Sequence, residues 1–134
     1  MASENVELAR SIFAAWQRGD FSETDWADPE IEYVFADGPT PGTWTGLSGM
    51  AEGQRSFLSA WEAFRTEPDE FQELDDERVF VRVHYGGRGK TSGLDLGRTG
   101  AKGAGVFYFR GGKVMRIVFY LNREHALADL GLSE

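Results

Sequence analysis

The sequence contains no cysteine, which excludes disulfide bridges, thiolate zinc sites and a cysteine nucleophile together. Histidine is nearly absent too. The two present, His84 and His125, stand far apart with no His-x-x-x-His pair, so no metal site is expected. No serine sits in a nucleophile-elbow pattern. Long apolar runs are missing: no window reaches the roughly 18 consecutive apolar residues of a membrane span. The first residues, MASENVELAR, lack the basic flank and apolar core of an export signal. The expectation is a soluble, cytoplasmic protein with no membrane partner. Positive charge is in short supply as well, 14 Lys and Arg against 22 Asp and Glu, for a net charge of −8 and a pI near 4.8. A phosphate backbone would be repelled, so no nucleic acid is expected as a partner. The acidic run from Glu67-Pro68-Asp69-Glu70 to Asp75-Asp76-Glu77 reads as a solvated edge.

What the chain does hold is aromatic surface: ten Phe, four Trp and four Tyr in 134 residues, with 41% of residues hydrophobic. One core can be filled from this without a disulfide, so a single domain over 1–134 is expected, with a packed interior or a lined cavity. Leu8, Ala9, Ile12, Phe13 and Trp16 recur at helical spacing until Gly19, predicting a helix over 4–18. A short second helix around Phe21 and Trp26 is expected to break at Asp28-Pro29. A strand over 31–36 then leads into a Gly/Pro loop. Met50, Phe57, Leu58, Trp61 and Phe64 mark a longer helix over 48–65, closed by Pro68. Strands follow over 70–74, 78–86, 93–98, 104–110 and 113–121, the last two joined through Arg110-Gly111-Gly112. Asn122 and Gly131 frame a terminal helix over 123–130. Helices first and strands afterwards specify an α+β domain with the helices on one face of a curved sheet.

This element order resembles the nuclear transport factor 2-like superfamily. Local stretches do too: Trp16-Gln17-Arg18-Gly19-Asp20 ending the first helix, Gly46 before the long helix, and Phe109-Arg110-Gly111-Gly112-Lys113-Val114 in the last hairpin. Val118-Phe119-Tyr120-Leu121-Asn122-Arg123-Glu124-His125-Ala126-Leu127 looks like bacterial members with a SnoaL-like domain. The resemblance implies a cone-shaped α+β fold, with the N-terminal helices packed on a curved antiparallel or mixed sheet around a largely apolar pocket. It implies a small apolar organic molecule as partner, and a homodimer formed through the outer sheet face. Activity is left open, because the superfamily includes isomerases, polyketide cyclases, epoxide hydrolases, dehydratases and proteins with no catalysis.

Within that frame Asp37 stands at the distance before Gly46 that the general base holds in ketosteroid isomerases. A carboxylate against an apolar wall can abstract a proton α to a carbonyl. The same Asp37-Gly38-Pro39 stretch is also ordinary turn chemistry. The isomerases' two oxyanion donors are missing, since Ile12 and Gly105 occupy the matching positions. If the chain is an enzyme, the expectation is a cofactor-independent isomerase, cyclase or hydratase with Asp37 as base. A non-catalytic ligand-binding or interaction module is the alternative, and an epoxide hydrolase-like set of Asp37, Arg98 and Asp95 a further one. No cofactor is expected: the GKT in Gly86–Gly93 has His84 where a phosphate loop needs its first glycine. Pocket-lining candidates are Trp16, Tyr33, Phe35, Trp44, Trp61, His84, Phe107, Tyr120 and Asn122. For His84 both faces stay open, although the alternation of Val81, Val83 and Tyr85 favours turning it outward.

Overall fold

Helix α1 spans Glu4–Gln17 and buries Val6, Ala9, Ile12 and Phe13, the stripe its periodicity predicts. The structure, a computed structural model, describes residues 4–37, 41–59, 61–89 and 102–132, without the side chains of 61–64 and 88–89. After α1 the chain makes turns rather than the expected short helix. Asp20 Oδ1 accepts both the backbone N–H and the hydroxyl of Ser22, at 3.0 and 2.6 Å, and the Trp26 indole donates to the Glu23 carbonyl at 2.8 Å. These local side-chain bonds compete with a helical ladder.

Strand β1, Ala27–Phe35, starts earlier than expected and carries Asp28-Pro29 inside it. Pro29 is tolerated because it falls where the pairing with the last strand slips, between Ala27 and Glu32, so its missing N–H breaks no ladder bond. The Gly/Pro loop resolves into a short strand, β2, Gly42–Thr45, antiparallel to β1. Helix α2, Gly46–Ser59, is shorter than its periodicity suggests. Trp61 and Phe64 belong to β3, Trp61–Asp75, whose antiparallel ladder with β4, Arg78–Gly89, reaches from Trp61 opposite Gly89 to Asp75 opposite Arg78. Cross-strand pairing overrides the helical spacing there. Pro68 interrupts nothing, since β3 is the outermost strand.

β5, Lys102–Arg110, and β6, Lys113–Tyr120, form the predicted hairpin, with Gly111 and Gly112 both at positive φ. Helix α3, Arg123–Leu130, is capped by the Asn122 side chain and stopped by left-handed Gly131. The expected strand over 93–98 lies outside the described residues. The strand order is β2-β1-β6-β5-β4-β3, antiparallel except for β1 against β6. Three helices thus pack on a six-stranded, mixed, open curved sheet. Its inner face buries Ile31, Tyr33, Val81, Val83, Phe107, Ile117 and Phe119 with the helix residues Phe13, Met50 and Phe57. Its outer face carries a smaller cluster, Phe80, Ala104, Val106, Val118 and Tyr120, against Ala126 and Leu127 of α3.

Candidate functional site

Inward-facing aromatics surround a cavity of about 270 Å³ between α1, α2 and the concave sheet face. Phe13 and Trp16 reach it from α1, Tyr33 and Phe35 from β1, Phe57 and Leu58 from α2, and Phe119 from β6. The rings brace one another: Phe35 stacks on Phe57 at 4.6 Å, Tyr33 meets Phe35 edge-on at 5.4 Å, and Trp16 lies 5.8 Å from Phe119. Such packing holds this part of the wall in a fixed shape and makes it apolar.

The rest of the wall is polar: Gln17, Tyr33, Gln54, Arg65, Thr66, Glu67 and Tyr85 line it too. Gln54 is 7% exposed and Tyr33 5%, and the Gln54 side chain lies beside the Tyr33 hydroxyl. Burial pushes the Tyr33 phenol well above the usual range, so it stays neutral. Tyr85 stays neutral for the same reason and donates to the Tyr120 carbonyl at 3.1 Å. Its ring passes over Gly103, where an added Cβ would come within 2.2 Å of it and within 2.4 Å of that carbonyl. Arg65 and Glu67 also line the cavity, with Arg65 Nε 3.8 Å from Glu67 Oε1.

Asp37, the candidate base, lies beyond β1 and is not among the residues lining this cavity. Its Oδ1 accepts the Leu121 N–H at 2.6 Å, and its Oδ2 accepts the Asn122 N–H at 3.4 Å and meets His125 Nδ1 at 2.9 Å. His125 Nε2 stands 3.4 Å from Asp129, which accepts the Tyr120 hydroxyl at 3.1 Å. The hydrogen bond to Asp37, helped by the charge of Asp129, raises the His125 pKa. The carboxylate therefore ties the end of β1 to the turn between β6 and α3.

The remaining candidates divide by face. Trp16, Tyr33 and Phe35 meet at the cavity, whereas Phe107 is fully buried in the inner core beside Phe13. Trp44 leans edge-on against Phe35 and over Gly53, where an added Cβ would sit 2.9 Å from its ring. Tyr120 packs on the outer face, and Asn122 is spent as the α3 cap, accepting the His125 N–H at 3.2 Å. His84 also faces outward, exposed, its two ring nitrogens each 2.7 Å from a carboxylate, Asp69 and Glu67. Its pKa is raised, by Asp69 first. The Trp61 side chain, Asp95 and Arg98 lie outside the described residues. Ile12 is core, and an added Cβ at Gly105 would meet the Phe119 ring at 3.3 Å. Sequence reasoning missed Gln54, although its position between Met50 and Phe57 on the apolar stripe of α2 was a readable signal.

The fold recurs among solved structures. TerC co-crystallised with polyporic acid is 22% identical, with a TM-score of 0.75 over 96% of this chain and 98% of that one. An NTF2-like protein of unknown function from Burkholderia pseudomallei K96243 is 20% identical, with a TM-score of 0.77 over 95% and 97%. A protein with a ketosteroid isomerase-like fold from Catenulispora acidiphila DSM 44928, in complex with trimethylamine, is 18% identical, with a TM-score of 0.67 over 95% and 94%. No curated protein matches the sequence. The family model for the SnoaL-like domain, however, matches residues 9–117, and the chain belongs to that family.

Proposed function

We propose that this protein binds a small, largely apolar organic molecule in the cavity between α1, α2 and the concave sheet face. The observation that carries the reading is the braced aromatic wall around a cavity of about 270 Å³, with polar side chains among its lining. Two structures of the same fold that hold small organic molecules support it. In this reading Asp37 is an anchor. Both its oxygens are engaged by backbone N–H groups and an imidazole, and it holds Leu121, a cavity residue, in place.

A second reading makes the protein a cofactor-independent isomerase, cyclase or hydratase with Asp37 as the proton acceptor. It draws on the one-residue step from Asp37 to the cavity wall through Leu121. A thermal-shift screen with small ketones, epoxides and polyketide-like compounds, run on wild type and Asp37→Asn, separates the two. A ligand at a hundred times its Kd adds about 2.7 kcal/mol to stability. The anchor reading expects that increment in both proteins, above a lower baseline for Asp37→Asn. The base reading expects turnover that Asp37→Asn abolishes without a fall in Tm. A screen in which nothing shifts the wild type overturns the binding reading.

The same proposal has two copies pairing through the outer sheet face, which carries half-buried Val34, Ala36 and Tyr108. Sedimentation at micromolar concentration should give a dimer, and a monomer refutes the pairing.

A further inference from the structure

We infer that the buried Tyr33–Gln54 pair is the recognition element of the cavity, and that it selects a ligand presenting a neutral oxygen, a ketone, quinone or alcohol, over a carboxylate. The inference rests on the cavity being a binding site.

Three observations carry it. First, Gln54 is out of place by every local rule. It sits between Met50 and Phe57 on the buried stripe of α2, where an apolar residue would pack at no polar cost, and it is more than nine-tenths buried. Second, its hydrogen-bonding capacity is not used up. A glutamine amide offers two donors and an acceptor, and a phenol one donor and one acceptor. Even with the amide beside the phenol, at least one amide N–H and one acceptor are left without a protein partner among the described residues, on the wall of the cavity. Buried polar atoms are normally satisfied, so this spare capacity points to a partner that enters the cavity. Third, the cavity supplies no net positive charge for an anion. Among the described lining residues only Arg65 and Glu67 are charged, and they face each other, with Glu67 also 2.7 Å from His84. Tyr85 adds little, since its hydroxyl proton already goes to the Tyr120 carbonyl. A carboxylate brought into this site would lose its water, and the one cation among the described lining residues already faces a carboxylate.

Size fits the same class. At roughly 30 Å³ per water the volume equals about nine waters, room for a molecule of one or two rings.

Three probes of nearly one shape test this: 2-acetylnaphthalene, 2-isopropenylnaphthalene and 2-naphthoate, titrated calorimetrically at neutral pH. Wild type should bind the ketone about tenfold more tightly than its hydrocarbon isostere, the effect of one well-placed hydrogen bond. Naphthoate should bind at least tenfold more weakly than the ketone. Gln54→Leu and Tyr33→Phe should each bring the ketone-to-hydrocarbon ratio toward one. The wild-type ranking decides the matter even where a variant folds poorly. Naphthoate binding as tightly as the ketone, or a ratio unchanged in both variants, overturns the inference and leaves the cavity reading standing. If none of the three binds, both fall.

Discussion

At the scale of single residues, Asp37 illustrates how a carboxylate near aromatic surface is held in place by backbone and imidazole partners. Charge-assisted hydrogen bonds from two backbone N–H groups and an imidazole replace its water. Asp37→Asn keeps the shape and loses the charge, so it should cost about 1–2 kcal/mol, read as a lowered Tm. An unchanged Tm would contradict the anchor. The sequence located Asp37 at the end of a strand but could not reveal its partners, because Leu121, Asn122 and His125 are more than eighty residues away. Tyr33 and Phe35 were legible as sharing one strand face, and Trp16 as part of the apolar stripe of α1. Tyr120 and Asn122 were not assigned their true neighbours, since period-two alternation fixes which residues share a face and not which face looks inward.

At the scale of elements, close approach of strands and rings sets the tolerances. Gly103 of β5 lies under the Tyr85 ring and against the Tyr120 carbonyl. Gly103→Ala should therefore destabilise by about 2–3 kcal/mol in chemical denaturation, by overpacking against backbone that cannot move aside. Adding Tyr85→Leu should restore only part of the loss, because the carbonyl stays. Full stability in Gly103→Ala would mean that β5 can shift. Helix α1, the β5–β6 hairpin and α3 with both its caps were readable, each being specified by contacts or caps within the segment itself. The boundary between α2 and β3 was not. Trp61 and Phe64 continue the helical spacing, and only the long-range ladder to β4 commits them to a strand. The turns after α1 were misread for a related reason, since the Asp20–Ser22 bonds take the place of helical ones.

At the scale of the whole molecule, both histidines carry raised pKa values: His125 through Asp37 and Asp129, His84 through Asp69 and Glu67. The folded state then binds protons more tightly than the unfolded chain. Stability from these pairs is fully present below the ordinary histidine value of 6.5 and is lost as pH rises through the higher folded values. Thermal melts should show Tm falling from pH 6 toward pH 9, and His84→Gln with His125→Gln together should flatten that slope. A wild-type profile already flat over this interval would refute the linkage. Both pairs are exposed enough for salt to weaken the effect.

The order β2-β1-β6-β5-β4-β3 has a consequence for synthesis. β6 joins the two halves of the sheet, and it is the last strand to leave the ribosome. Until residues 113–120 emerge, no ladder among the described residues links β1 and β2 to β3, β4 and β5. Each set presents an open edge to whatever strand comes first. Closing the sheet over so long a loop is slow, which prolongs the exposure of these edges. Its dependence on chaperones should be greatest just before the final hairpin forms.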